Sequence, residues 1–486
     1  MTKLLFTHSY FYRFDSKQWN NRKPYPPLGT ITAAALLREA GHSVSLFDTA
    51  LKTGPQELPA LLKNQKANFL VIYDDGFNYL TKMCLTNMRE AAFEMIKMGK
   101  TEGCTVIVSS SDSTDHFDQY LDQGADHVIL GEADETLKIL VSAIENGESA
   151  KAIPGHSYRE GGVTKNSGSR PVMRDLDSAP MAAWDLVNIE EYKTIWLEHH
   201  GRFSLNIATT RGCPFKCNWC AKPIYGNRYN SRSAVKVAEE IEFLITNYGP
   251  THFWMCDDIF GLKPGWAQAF EEGVRKRKLN FKYMIQSRAD LLLQEDTMKV
   301  LANSGLEEVW IGAESGSQEI LDAMDKGTKV EQIHEATRVL KSTGVRVAFF
   351  IQFGYIGETE KDINLTIEMI KTLVPDDIGI SVSYPLPGTV FYERVKQDLT
   401  GKSNWTDSDD LDLMFQNTYQ PKYYKKLHRY VHKVFRTQQG LENIKLLLTG
   451  SGKINKRTLR SILGVLYYVP SSILDRMQLK KLKTEG

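Results

Sequence analysis

The chain has 486 residues, 42% of them hydrophobic and 24% charged, the proportions of an ordinary folded globular protein. One core does not usually extend over that length, so about two to four domains are expected, and a formal net charge of +1 gives no global field of the kind that draws a protein to nucleic acid. Six cysteines, no apolar leader and no run of about 18 apolar residues predict a cytoplasmic chain without a transmembrane helix, in a reducing setting where clustered thiols more often bind metal than pair.

The first third alternates apolar runs with helical patterns. KLLFTH (3–8) reads as a buried strand and GTITAAALLREAG (29–41) as a helix closed by its last glycine. HSVSLFD (42–48), NFLVIYDD (68–75), CTVIVSSS (104–111) and DHVILGE (126–132) read as further strands. Strands separated by helix-length segments predict a doubly wound, Rossmann-like parallel sheet over residues 1–150, with ligands at the strands' carboxyl ends. Those ends carry Thr7 to Tyr10, Asp48, Tyr73 to Asp75, Ser109 to Asp112, and Gly131 with Glu132. Residues 151–200, rich in Gly, Ser and Pro, read as a linker.

From residue 203 the alternation resumes in six strands: FSLNIATT, THFWMCDD, KYMIQSRAD, LEEVWIGAESG, VRVAFFIQFG and IGISVSYPLPG. That pattern predicts a β/α barrel, partial or complete, over residues 201–395. The strand signal then fades, and residues 396–486 read as a helical, basic C-terminal region. Residues 421–486 hold 15 Lys/Arg against 3 Asp/Glu, a net +12 that leaves −11 for the rest of the chain. The expected fold class is therefore α/β: a doubly wound sheet, then a β/α barrel, then helices.

Chemistry concentrates in CPFKCNWC (213–220), which spaces Cys213, Cys217 and Cys220 as C-x3-C-x2-C directly after the first barrel strand. Structural zinc normally takes four protein ligands. Three thiolates on a four-iron cluster instead leave one iron open to an outside ligand. The position is that of an active site, since a β/α barrel holds its catalytic groups above the carboxyl ends of its strands. Zinc and cluster both stay open at this level. Cys84, Cys104 and Cys256 read as small packed residues.

CPFKCNWC resembles the signature of the radical S-adenosylmethionine (SAM) family, with Trp219 at its aromatic position. CDDIFG (256–261), SRADLL (287–292), GAESGSQEILDAMDKGT (312–328), FGYIGETEKDI (353–363) and SYPLPGTVFYERV (383–395) follow in family order. PPLGTITAAALLREAGHSVSLFD (26–48) and GADHVILGEADETL (124–137) extend the resemblance to the first third. The set is similar to the subgroup with an N-terminal cobalamin-binding domain, that of class B methylases and magnesium-protoporphyrin ester cyclases. The resemblance implies that Cys213, Cys217 and Cys220 hold a 4Fe–4S cluster whose fourth iron is chelated by SAM. One electron from a flavodoxin- or ferredoxin-type donor would then release a 5′-deoxyadenosyl radical. It also implies Trp219 near the adenine, Asp257 and Asp258 at the SAM amino group, and Arg288 at the SAM carboxylate. Glu314 and Ser315 would meet amino or ribose groups, and Gly354 and Gly357 the adenine edge.

Cobalamin is expected in the first domain, at Thr7, Asp48, Ser109, Ser110, Gly131 and Glu132. The chain lacks D-x-H-x-x-G, so no protein histidine ligates the cobalt in this reading. Ser109-Ser110-Ser111-Asp112 stands where relatives often carry a glycine pair; serine hydroxyls suit a corrin amide, while Cβ atoms hinder close backbone approach. With both cofactors, the resemblance implies cobalamin-dependent methylation of an unactivated carbon. The alternatives are a radical cyclase or oxidase of the porphyrin-ester type and a non-catalytic SAM or cobalamin sensor. No RNA-binding domain is recognisable at the C-terminus, and no nucleic-acid partner is expected. RTLRSILGVLYYVPSSILDRMQLKKLK (457–483) sets an apolar centre between Arg and Lys, a pattern that suits either an anionic membrane surface or a helical cap on the barrel. The substrate expected is a small molecule or lipid-like, and the protein cytoplasmic or peripheral to a membrane.

Overall fold

Successive side chains of a strand point to opposite faces. In β1 (Lys3–Thr7), Leu4 and Phe6 enter one apolar cluster and Leu5 another. Four more strands run parallel to it: β2 (Ser43–Phe47), β3 (Phe69–Tyr73), β4 (Thr105–Ser109) and β5 (His127–Ile129), in the order β2-β1-β3-β4-β5. Leu70, Ile72, Val106 and Val108 join Leu5 with residues of helix α1 (Thr86–Thr101). Phe69, Val71, Ile107 and Ile129 join Leu4 and Phe6 with residues of α2 (Asp134–Glu145). A sheet covered on both faces buries both sets, which is why these strands read as unbroken apolar runs. Each such side chain, once buried, contributes roughly 1.5–3 kcal/mol. This is the doubly wound sheet that the sequence predicts.

The computed structural model describes residues 2–294, 297–450 and 455–484. The chain divides into two compact units: Met1–Pro214 with Lys222–Ile285 and Asn404–Asp410, and Phe215–Ala221 with Gln286–Ser403 and Leu411–Gly486. In the first unit the segment expected as a linker is partly ordered sheet. β6 (His156–Glu160) and β7 (Val163–Asn166) form an antiparallel hairpin that extends the sheet beyond β5. Gly161 and Gly162 between them take φ of 57° and 79°, the left-handed pair a two-residue hairpin turn requires.

The first unit also holds β8 (Ser204–Ile207), β11 (His252–Met255) and, up to Ile285, β12 (Lys282–Ser287), all parallel, with β11 in the middle. A two-residue antiparallel ribbon, β9 (Thr210–Arg211) with β10 (Asn230–Ser231), follows β8. In the second unit β13 (Leu306–Glu314), β14 (Arg346–Phe353) and β15 (Asp377–Val382) run parallel with β14 central. Helices α3 (Val330–Ser342) and α4 (Glu360–Leu373) connect them. The six strands and their helices match the alternation read from residue 203 onward. The second unit ends in two long helices packed along each other, α5 (Pro421–Leu448) and α6 (Lys456–Thr484). Among the described residues no helix is long and apolar enough to cross a membrane.

Candidate active site

In the first unit the chain leaves β8 toward Cys213 through a buried carboxylate. Asp257, just past β11, accepts hydrogen bonds from the Thr209 and Thr210 backbone N–H groups (2.7 and 2.6 Å) and from the Thr209 hydroxyl (2.7 Å). Burial pushes its carboxyl up to about 6 against the pull of those donors. Asp257 thus fixes the path of the strand end that precedes the cysteines. Asp258 is partly exposed and pairs with Lys82 at 2.5 Å. Arg211, two residues before Cys213, is buried and binds Glu132 and, at 2.6 Å, Asp134. The sequence reading passed over Arg211; its position in RGC was the available signal.

The carboxyl ends of β1 to β5 form one polar, buried rim. The Thr7 hydroxyl donates to the Phe47 carbonyl, and Asp48 contacts His8 at 3.0 Å and accepts from the Tyr192 hydroxyl at 2.7 Å. Ser110 caps the short helix Ser111–Asp115 in a capping box with Ser113. Glu132 takes Arg211 and the Met173 N–H, and burial raises its pKa although Arg211 opposes the shift. Gly131 lies under the Pro223 and Ile224 carbonyls, about which a Cβ would sit at 3.5 Å. The Ser109 and Ser111 hydroxyls make no hydrogen bond among the described residues, so the rim keeps two unengaged donors suited to an amide-bearing ligand.

In the second unit Asn218, between Cys217 and Trp219, is the peg of the cysteine loop. It is buried, and its amide donates to the Ala323 carbonyl (2.7 Å) and to Asp325 (2.8 Å). Its Oδ1 accepts from the Tyr355 hydroxyl at 2.7 Å, its N–H donates to the Met324 carbonyl, and its carbonyl accepts from Phe391. Asn218 was not among the residues the sequence singled out. Trp219 keeps a buried indole N–H without a partner among the described residues, a donor free for a ligand's acceptor. Arg288 lies 3.8 Å over the Phe215 ring and directs its guanidinium to Asp290 and the Lys326 carbonyl.

Glu314 ends β13 at a register shift, with φ of 57°, and pairs with buried Lys326 at 2.8 Å. Ser315 is fully buried and bonds the Thr366 hydroxyl. Both backbone groups of Gly354 are engaged: its N–H donates to Glu358 and its carbonyl accepts from Asn417. A Cβ there would meet Leu413, Tyr424 and Val382 at 3.2–3.3 Å, whereas Gly357 (φ 81°) faces open space. All six cysteines stand outside disulfides, and Cys213, Cys217 and Cys220 are half-buried. Among the described residues no three His, Cys, Asp or Glu side chains converge as they would on a single metal ion. Thiolates of a four-iron cluster sit on separate irons and need no such convergence.

Three thiols on the loop after the first strand of a parallel β/α array define a class. Residues 207–370 match the sequence model of the radical SAM superfamily, and the cofactors such a domain implies are a 4Fe–4S cluster and SAM. Among curated proteins the chain is similar to an uncharacterized methyltransferase of Pyrococcus horikoshii, 27% identical over 449 residues, 91% of this chain and 94% of that one. It is also similar to the anaerobic magnesium-protoporphyrin IX monomethyl ester cyclase of Synechocystis, 23% identical over 374 residues, 76% of this chain and 73% of that one. Its fold is like that of OxsB, a cobalamin-dependent SAM radical enzyme solved with aqua-cobalamin and SAM: TM-score 0.74, 16% identity, 99% of this chain and 72% of that one. TsrM from Kitasatospora setae, a radical SAM methyltransferase solved with cobalamin and a [4Fe–4S] cluster, gives a TM-score of 0.67 at 18% identity over 82% of this chain and 78% of that one.

Proposed function

We propose that the chain is a cobalamin-dependent radical SAM methylase acting on an unactivated carbon of a small-molecule or lipid-like substrate. The observation that carries this reading is extent. The likeness to OxsB runs over 99% of the chain, the first sheet included, and does not stop at the radical SAM domain. When bound, the cluster and SAM supply the 5′-deoxyadenosyl radical and the corrinoid supplies the methyl group. In this reading Cys213, Cys217 and Cys220 hold the iron, Asn218 fixes the loop that presents them, and the Trp219 indole N–H meets an acceptor on SAM. The rim of Thr7, Asp48, Ser109, Ser110, Gly131 and Glu132 faces the corrinoid, with the Ser109 and Ser111 hydroxyls as its donors. His8 at that rim is already engaged by Asp48 and Thr49, in keeping with a cobalt that takes no protein histidine.

The similarity to the cyclase favours a second reading, a radical cyclase or oxidase. Incubation with a low-potential flavodoxin or ferredoxin and SAM labelled with deuterium at its methyl group separates the two. The methylase reading expects 5′-deoxyadenosine and a labelled methyl group in the product; 5′-deoxyadenosine with an unlabelled, oxidised product favours the cyclase.

The C-terminal helices support a further element of this reading, contact with an anionic membrane surface. Leu463, Leu466, Tyr467, Ile473 and Leu474 lie on one side of α6 with 56–78% of their surface exposed. Lys456, Arg457 and Arg460 precede them and Arg476, Lys480 and Lys481 follow. The only acid within α6, Asp475, is buried and paired to Lys426 and Lys433. A helix with an apolar stripe between basic ends lies in the plane of a bilayer interface. Flotation should recover the protein with vesicles containing anionic lipid and not with neutral ones, and L463E/L466E should abolish recovery. Equal recovery for the variant would remove the membrane contact.

A further inference from the structure

Lys326 lies within GAESGSQEILDAMDKGT (312–328), where the resemblance assigns it no role, and its surroundings are unusual for a lysine. Its side chain is buried, and its ammonium lies 2.8 Å from Glu314. Room for it exists because position 312 is glycine: a Cβ there would lie 2.7 Å from the ammonium and 2.9 Å from the Glu314 carboxylate. The segment that carries Lys326 is fastened to the cysteine loop, since Asn218 bonds the carbonyls of Ala323 and Met324 and the Asp325 carboxylate. The Lys326 carbonyl is held in turn by Arg288 at 2.6 Å. Burial alone would depress the ammonium's pKa, but the Glu314 carboxylate opposes that and the pKa stays raised.

We propose that Lys326 is the resident countercation of the cysteine loop: its ammonium, seated on Glu314 in the segment that Asn218 fastens to that loop, raises the potential at which a cluster there accepts an electron. The inference rests on the 4Fe–4S reading of Cys213, Cys217 and Cys220. An added electron makes the cluster more negative, and in a site removed from water a fixed cation stabilises that form while a fixed carboxylate opposes it. Lys326 and Glu314 therefore act with opposite sign, and removing either partner frees the field of the other. The role is one of electrostatic positioning and involves no bond to substrate.

The test is a dithionite titration of the anaerobically reconstituted full chain without SAM, followed by the electron paramagnetic resonance of the reduced cluster. One electron passes from dithionite to the oxidised cluster, and no bond forms or breaks. Lys326→Met should lower the midpoint potential, Glu314→Gln should raise it, and Lys326→Arg should leave it near that of the unmodified chain. Equal potentials, or shifts of the same sign for Lys326→Met and Glu314→Gln, overturn the inference. Should Lys326→Met not fold, Glu314→Gln decides alone, and the absence of a rise is contradictory. An unmodified chain that takes up no iron removes the cluster reading and this inference together, whereas bound iron with unmoved potentials removes only the inference.

Discussion

Asn218 ties the cysteine loop to distant parts of the chain. Its side chain makes three contacts and its backbone two, all to residues more than one hundred positions away in sequence. Replacing it with alanine removes the amide that donates to the Ala323 carbonyl and to Asp325 and the oxygen that accepts from the Tyr355 hydroxyl, a loss of about 1–3 kcal/mol. Asn218→Ala should therefore bind several-fold less iron after anaerobic reconstitution than the unmodified chain, and equal iron per chain would show that the loop is held elsewhere. Glu358 gives a prediction in pH. It is fully buried, its Oε2 accepts from Gly354 at 2.6 Å, and its Oε1 has no partner among the described residues. Burial pushes its carboxyl up to about 8 from 4.5. The folded chain keeps a proton there that the unfolded chain releases, so this contribution to stability is complete below the unfolded value and is lost as pH rises through the folded one. The slope between the two is about 1.4 kcal/mol per pH unit. Glu358→Gln should flatten the pH dependence of the denaturant midpoint between pH 5 and 8. Parallel curves for the two proteins would contradict a buried proton.

At the scale of elements, the ribbon that follows β8 depends on Arg211. Its guanidinium neutralises both Glu132 and Asp134 in a buried setting. Arg211→Met should lower stability by about 3–5 kcal/mol, because two carboxylates lose their cation; a urea midpoint within error of the unmodified chain would contradict this. Elements also show where the sequence was readable. Strands β1, β3, β4 and β5 announced themselves because both faces are buried and their centres are unbroken apolar runs. The β6–β7 hairpin did not, because most of its residues are exposed and its Gly161-Gly162 turn sits among other glycines and serines. Arg211, Asn218 and Lys326 escaped notice for a related reason. Each is held by partners distant along the chain, and a cation or amide in or beside a motif does not by itself show them. The cysteines were legible because their spacing is itself the chemical requirement.

At the scale of the whole molecule, a match to the radical SAM superfamily follows, along the chain, a doubly wound sheet whose rim is polar and buried. Most of this architecture follows from alternation of apolar runs, which a parallel sheet imposes whatever its function. The substrate does not follow from it, since substrate contacts come from loops whose residues obey no period. The central claim is that one chain holds both an iron–sulfur cluster and a corrinoid. Anaerobic purification from cells supplied with cobalamin, with iron, sulfide and corrinoid quantified per chain, tests it most directly. The expected result is about four iron, four sulfide and one corrinoid per chain, with iron lost and corrinoid retained in a variant lacking Cys213, Cys217 and Cys220. Cluster iron without corrinoid, or corrinoid that leaves with the iron, would contradict it.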